Sequence, residues 1–388
     1  MHVLHHCTIT STLRDAWVEV DLTALADNVA VIKSWLRPSE SAVQLMAVVK
    51  SDGYGHGAEE AAATFLGAGA RWLGVATLEE AMQLRRSQAK APLLILAPAP
   101  ARGLATALEY NVDLTVTSNK QIKDVSAAAK AADKRARVHL KVDTGMHRLG
   151  VPTNQLIELV DEIRTQRRLH LVSIFSHLAK PDDSEFTHKQ NDAFVDSLFA
   201  LSMQRPDVRE SVFAHLASGE AARRFPITHH DMVRVGLYLY GLQSRVVSDV
   251  VRPAMSVRAR INQVRLVNAG EGIGYNLTWS SSAPARVASI PIGYADGVQR
   301  GLSNKMSGLL KGKLVPQAGT ISMDQMLFDV TAVPEACEGD VITLIGSDGD
   351  RQIHLADWAQ MLDTVTYEMA CGLRVRLPRI YTRSQDST

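Results

Sequence analysis

A lysine ends the apolar run Leu45-Met46-Ala47-Val48-Val49, and Gly53, Gly55 and Gly57 follow it almost at once. An apolar strand core that stops at Lys50 and opens into a glycine-rich loop sets one amine at the rim of a sheet. Among apolar neighbours an ammonium loses solvation, its pKa falls, and the free amine becomes nucleophilic. That is the environment a Schiff-base lysine needs. The same pattern also describes a lysine that snorkels from a strand end beside a flexible turn. The residues by themselves leave both readings open.

Other reactive side chains stand in similar places. In Lys141-Val142-Asp143-Thr144-Gly145-Met146-His147-Arg148-Leu149-Gly150, two glycines bracket a loop that presents Arg148. A guanidinium takes a carboxylate or phenolate oxygen in its fork, although two cations on a turn are also ordinary surface charges. His177 follows one apolar run, Ser218-Gly219 another, and Arg234-Val235-Gly236-Leu237 closes a third. Backbone N–H groups at the small residues Ser218, Gly219 and Gly236, and at Leu237, suit a phosphate.

The elements that must position these groups follow from periodicity. Trp17 to Val20 alternates like a short strand, and Leu22, Leu25, Val29, Ile32 and Leu36 recur at helical spacing, with Pro38 as the stop. Short apolar strands are expected at 45–49, 72–76, 93–97, 113–116, 138–142, 171–176, 212–217 and 232–237. They are too apolar for alternation, as strands of a parallel sheet covered on both faces are. Helical stretches at 77–87, 119–132 and 154–164 lie between them. Eight such strands predict a (β/α)₈ barrel, a TIM-type α/β fold. An open doubly wound sheet would normally carry a G-x-G-x-x-G turn after its first strand, and none is present. The barrel layout sets Lys50, Lys141, His177, Ser218 and Gly236 at C-terminal strand ends, where barrel active sites are built. From about residue 251 helical periodicity thins, and β-rich runs at 285–290, 314–318, 326–330 and 341–345 predict a mainly β domain with a short helix near 356–362. The expected domains are 15–250 and 251–388, with residues 1–14 packing beside the second.

The 388 residues carry 42 Lys+Arg against 41 Asp+Glu, so charge gives no case for nucleic acid or an anionic membrane. Cys7, Cys337 and Cys371 lie far apart without metal-ligand spacing, which fits a reducing compartment and no metal site. The N-terminus lacks a basic and apolar export signal, and the longest apolar run is too short to cross a bilayer. A cytoplasmic protein is expected.

The stretch Ala47-Val48-Val49-Lys50-Ser51-Asp52-Gly53-Tyr54-Gly55-His56-Gly57 resembles the cofactor-lysine motif of alanine racemases, and the likeness runs along nearly the whole chain. It implies pyridoxal 5'-phosphate bound through Lys50, with Tyr54 beside it. The segment 141–150 is similar to the family's K-x-D-T-G-M-x-R-L-G. This implies that Arg148 binds the substrate carboxylate and the cofactor's phenolic oxygen, and that Lys141 is an N-carboxylated lysine; His147 departs from the small residue usual there. By the same resemblance His177 lies beside the cofactor ring and Arg234 faces its pyridine nitrogen. A carboxylate would keep that nitrogen protonated; an arginine keeps it unprotonated and limits delocalisation into the ring. Ser218, Gly219, Gly236, Leu237 and Tyr367 would hold the phosphate, with Gly219 standing where the family commonly has serine. Tyr275 would be the second acid/base, reaching the partner subunit's site in a homodimer, with Tyr294 and Met323 contacting substrate there. Read without the family, each tyrosine is a half-buried strand residue.

The expected activity is therefore racemisation of alanine with Lys50 and Tyr275 as the two bases, supplying D-alanine for peptidoglycan. Three alternatives are open. A racemase of wider range (serine, lysine) fits the same motifs. A decarboxylase of similar layout would use a carboxylate at the ring nitrogen and a C-terminal cysteine motif, and Arg234 argues against it. A non-catalytic carrier of the cofactor would lack the second domain.

Overall fold

The computed structural model describes residues 13–36, 43–243 and 251–383. Pro38, expected to close the first helix, and Cys7 lie outside the described residues. The chain forms two compact units. One comprises Ala26–Gly53 and Ala58–Leu239; the other takes the described parts of Met1–Leu25, Tyr54–Gly57 and Tyr240–Thr388.

Strand β1 (Ala16–Asp21) leads into a helix, Leu22–Trp35. The first unit is then built on β2 (Gln44–Val48), β3 (Trp72–Val75), β4 (Leu93–Ile95), β5 (Asp113–Val116), β6 (Ala136–Asp143), the two-residue β7 (Val151–Pro152), β8 (Leu169–Phe175), β9 (Phe213–His215) and β10 (Met232–Val235). Eight of these run parallel in the order β10-β2-β3-β4-β5-β6-β8-β9, with β7 beside β6. The remaining seam is bridged by N–H groups of Asp231 and Arg234 donating to the carbonyls of Ala214 (2.9 Å) and Ala217 (3.0 Å). The expected parallel barrel is present, nearly closed. Its strands β3, β4 and β5 are buried at every position, which is why they show no alternation. Met46, Trp72, Leu94, Val172 and Met232, drawn from five strands, pack as one buried cluster. Each is worth about 1.5–3 kcal/mol relative to exposure.

Local chemistry places the helices. Leu78–Arg86 begins in a capping box in which Thr77 and Glu80 satisfy each other's backbone N–H groups. The longest helix, Ser184–Gln204, is capped by Asp183 and fills the crossover between β8 and β9. It was not among the helical stretches read from periodicity.

The second unit holds β11 (Met255–Arg260), β12 (Gln263–Val267), β13 (Gly272–Ile273), β14 (Trp279–Ser280), β15 (Ala285–Ile290), β16 (Ser307–Leu310), β17 (Lys313–Ala318), β18 (Met326–Asp329), β19 (Val341–Asp348), β20 (Arg351–Ile353) and β21 (Arg379–Thr382). Its main sheet runs β12-β15-β18-β17-β16-β19-β11-β1-β21. Thus β1 joins this sheet, antiparallel to β11 and parallel to β21. The helix expected near 356–362 is Leu355–Met361, and Thr366–Gly372 follows it.

Candidate active site

Lys50 follows the last residues of β2 and is half-buried. The chain after it turns left-handed: Ser51, Asp52, Gly53 and Tyr54 have φ of 53°, 52°, 60° and 52°. Three of these are not glycine, and each costs about 1–2 kcal/mol in that conformation. Specific bonds hold the turn. The Ser51 N–H donates to Glu80 Oε1 (2.7 Å), the Gly53 N–H to the Val49 carbonyl (3.0 Å), and the Ala58 N–H to Asp52 Oδ1 (2.9 Å). Glu80 is therefore both helix cap and anchor for the residue next to Lys50. Strain kept in place by such bonds is characteristic of functional sites.

The loop after β6 is built on Asp143. Its Oδ1 accepts the N–H groups of Gly145, Met146 and His147 at 2.9, 3.0 and 3.1 Å, and its Oδ2 faces His147 Nδ1 at 3.1 Å. Burial works against the charge, but these donors prevail and hold the carboxyl below its ordinary range. A Cβ on Gly150 would stand 2.6 Å from the Asp143 backbone nitrogen, so only glycine closes the loop. Gln190 ties it to the end of β8, donating to Thr144 Oγ1 (3.3 Å) and the His177 carbonyl (3.2 Å) and accepting from the Ala179 N–H (2.8 Å). Arg148 is left exposed at the loop's tip.

Arg234, only 5% exposed, is the centre of the inner site. Its Nη1 lies 2.7 Å from His215 Nδ1, and its Nη2 reaches the carbonyls of Ser176 (2.6 Å) and Leu216 (3.1 Å) and the Nδ1 of His177 (3.1 Å). Phe175 stacks flat on His215 at 4.8 Å, with Arg234 and Lys141 each over its ring at 5.3 and 5.5 Å. Burial alone pulls Arg234 down to about 9. Burial, then the charges of Arg234 and Arg148, bring Lys141 to about 8. Burial followed by Arg234, Lys141, Arg148 and Lys50 drops His177 to about 3, so it is a neutral imidazole at physiological pH.

Lys50, Lys141, Arg148 and Arg234 thus share one neighbourhood, and among the described residues no carboxylate forms an ion pair with any of them. Gathered, unpaired cations with a neutral imidazole suit an anionic ligand. A phosphate ester with a phenolate, joined to a carboxylate substrate, fits that donor set.

Gly219 opens the helix Gly219–Arg224 behind Ser218, whose side chain makes no capping bond. A Cβ at 219 would lie 2.7 Å from Tyr238 Cδ2. The Tyr238 ring thus occupies the space that any side chain at 219 would enter. Tyr238 donates to the Glu220 carboxylate. Burial and that bond push its phenol up to about 12, which removes it as a base. Gly236 and Leu237 follow β10, where the Gly236 carbonyl accepts the Leu239 N–H (2.8 Å).

In the other unit Tyr275 is 69% and Met323 52% exposed. Tyr275 follows Gly274, whose φ is 69°, and Asn276 (60°) and Leu277 (50°) continue in the left-handed region. Tyr294 and Met323 are brought together by backbone: the N–H groups of Tyr294 and Ala295 donate to the carbonyls of Ser322 and Met323, both at 3.0 Å. A Cβ on Gly293 would overlap that strand of chain. Buried Asp296 pins the loop from below, held by Arg14 (2.7 Å) and Arg376 (3.0 Å). Tyr54 packs on Tyr240 at 5.1 Å. A Cβ at Gly55 would overlap Ala370 of the helix that carries Tyr367.

Sequence reasoning missed Gln190, Glu80 and the buried polar residues beyond His215. Glu80 was signalled by the Thr77-x-x-Glu80 capping pattern, and the buried residues of the strands by a polar side chain inside an apolar run.

Residues 20–244 match the family model described as alanine racemase, N-terminal domain, and 254–381 that of the C-terminal domain. The chain is 40% identical to the alanine racemases of Nostoc sp. and Synechocystis sp., covering 94% of this chain in both and 95% and 98% of those proteins. It superposes on the crystal structure of alanine racemase from Bacillus anthracis with bound L-Ala-P at a TM-score of 0.88 and 33% identity, covering 97% of each chain. A histidine racemase from Leuconostoc mesenteroides gives a TM-score of 0.85 at 26% identity, over 97% of this chain and all of that one.

Proposed function

This chain belongs to the alanine racemase family, and from that premise we propose that it interconverts L- and D-alanine, with pyridoxal phosphate held through the Lys50 amine. The observation that carries the reading is the gathering of Lys50, Lys141, Arg148 and Arg234 at C-terminal strand ends of the barrel, none of them in an ion pair with a carboxylate among the described residues. When bound, the cofactor supplies an electron-accepting ring conjugated to the substrate's Cα, which eases departure of the α-proton.

The residues divide the remaining work. Arg148, exposed on a loop fixed by Asp143, takes the substrate carboxylate and the phenolic oxygen in its fork. Arg234 would hold the ring nitrogen and, being a donor only, would leave it unprotonated. Ser218, Gly219, Gly236 and Leu237 would hold the phosphate through their backbone N–H groups. Lys50 Nζ moves the proton on the D face. Tyr275 of the partner subunit moves it on the L face, with the partner's Met323 and the partner's Tyr294 against the substrate. The exposed Leu266, Tyr275, Leu277 and Met323 support burial of this region in a homodimer.

A tyrosine base needs its pKa brought down from about 10. His177 supplies a means. Its Nδ1 faces Arg234, which only donates, so the neutral ring carries its proton on Nε2. That N–H stabilises a phenolate that receives it.

Lys141 near pH 8 is partly a free amine. Addition of its nitrogen to carbon dioxide gives a carbamate and releases one proton. The anion so formed sits among Arg148 and Arg234 and orients the former.

The product, D-alanine, serves cell-wall peptidoglycan, and the enzyme acts in the cytoplasm. No described helix is long and apolar enough to cross a membrane.

The test is α-hydrogen exchange of L-alanine in deuterium oxide, followed by NMR with chiral analysis. Exchange with appearance of D-alanine is expected. Exchange without it would remove the second base from Tyr275, and carbon dioxide release would replace racemisation by decarboxylation. A wider range is the second reading, favoured by the likeness to a histidine racemase. Serine, lysine and histidine in the same assay decide it.

A further inference from the structure

The polar contacts of Arg234 do not stop at His215. His215 Nε2 lies 2.8 Å from Ser173 Oγ, Ser173 Oγ lies 2.6 Å from His139 Nδ1, and His139 Nε2 lies 3.0 Å from Asp113 Oδ2. Asp113 is gripped side-on by Arg137 Nε at 2.9 and 3.0 Å. His139, Ser173 and His215 are fully buried, and Asp113 nearly so. The chain crosses the barrel unit from the start of β5 and β6 to the ends of β9 and β10.

The proton positions along it follow from donor and acceptor chemistry alone. Arg234 has no lone pair to offer, so His215 Nδ1 accepts. Burial, with Arg234 next, keeps His215 far below its ordinary pKa, so the ring is neutral and its proton is on Nε2. Ser173 Oγ therefore accepts from His215 and spends its single proton on His139 Nδ1. His139 is kept neutral by burial, against the pull of Asp113, and must carry its proton on Nε2. That proton goes to the Asp113 carboxylate. Every link points the same way, and reversing any one sets a donor against a donor, which costs about 1–3 kcal/mol for a buried group.

We propose that Asp113 is a positioning residue for Arg234: as the acceptor-only end of the chain it locks, through His139 and Ser173, the hydroxyl that receives the His215 Nε2–H and so holds the ring whose Nδ1 accepts from the guanidinium. The guanidinium is then held in one orientation, and its His177-facing edge with it. Nothing in the local sequence marks Asp113; it gains the role because the parallel register sets His139 opposite Ser173 and β9 beside β8. The consequence for the reaction rests on the reading of Arg234 as the group facing the cofactor's ring nitrogen. The proton order does not.

The test uses ¹⁵N-histidine-labelled full-length protein, first without and then with pyridoxal phosphate. Ring-nitrogen NMR of the wild type is expected to show His139 and His215 both neutral with the proton on Nε2. In Asp113→Leu, His139 is expected to populate both tautomers, and in Ser173→Ala the His215 Nε2–H loses its acceptor; in both, kcat is expected to fall about tenfold with KM for alanine unchanged. Ser173→Ala leaves the Asp113–Arg137 pair in place and keeps the test open if Asp113→Leu fails to fold. A proton on Nδ1 of either histidine in the wild type would overturn the proposal. So would unchanged kcat in the folded variants. If Arg234→Gln left cofactor absorbance and turnover unaltered, the role of Arg234 would fall while the spectra still decided the proton order.

Discussion

Arg234 Nη2 stands 3.1 Å from His177 Nδ1, and this contact orders the tautomer of an imidazole that burial, with the surrounding cations, already keeps uncharged. A cation with no carboxylate partner is thereby used twice, as a ligand-facing charge and as a device that turns the His177 N–H outward.

The buried histidines should make the protein acid-sensitive. His177 has a folded-state pKa near 3 against an ordinary 6.5, and His139 and His215 are shifted in the same direction. Below pH 6.5 the unfolded chain therefore binds more protons than the folded one. Stability present above 6.5 is lost as the pH falls toward 3. The slope is at most about 1.4 kcal/mol per pH unit for each histidine. Urea midpoints between pH 7.5 and 4.5 measure it, and His177→Asn should reduce the slope; an identical slope in that variant would rule His177 out as a contributor.

Lys141 acts at the other end of the scale. Its folded pKa is about 8 against 10.5, so between those values the unfolded lysine holds a proton that the folded one has lost. Stability should rise across that window by up to about 3 kcal/mol from this group. Lys141→Met should flatten the rise, measured in protein freed of carbon dioxide. In the native enzyme added bicarbonate should raise activity, and in Lys141→Met it should not.

Tyr275→Phe is expected to keep the absorbance of lysine-bound cofactor while turnover drops by about 10²–10⁴-fold, the range for one acid/base group. Lys50→Ala should lose both the absorbance and the activity. Full racemisation by Tyr275→Phe would remove that residue from the mechanism.

Gly219→Ser, which restores the residue usual in the family, should be harmful here. Its Cβ meets Tyr238 at 2.7 Å and Val235 at 3.2 Å. A loss of about 1–3 kcal/mol is expected from overpacking, read as a lower unfolding midpoint. Adding Tyr238→Leu should recover part of it, since neighbours of this kind are not additive. Independent effects of the two changes would show that the ring does not dictate the glycine.

The barrel was legible because its strands are apolar on both faces, so a run as short as 113–116 was found at its true bounds. The site was legible where one motif carries its residues together, as around Lys50 and Arg148. The partner of β1 was not, since an alternating strand does not say which sheet receives it. Nor was the chain from Asp113 to Arg234. Residues 113, 139, 173 and 215 become neighbours only through strand register, and each by itself is one polar residue in an apolar run. His147 and Ser51 show a further limit: their left-handed backbone is imposed by Asp143 and Glu80 from outside the residues that adopt it.

The four residues Tyr54–Gly57 lie in the β-rich unit although the chain on both sides of them belongs to the barrel. With β1 sandwiched between β11 and β21, the β-rich unit is assembled from three separated segments of the chain. A gene cut near codon 245 therefore divides the β-rich unit. It strands Gly55 and Gly57 without Ala370 and Tyr381 and leaves β1 with both edges bare. Domain exchange between relatives, by recombination or by design, must move three separated segments at once, so the two halves are inherited as one piece.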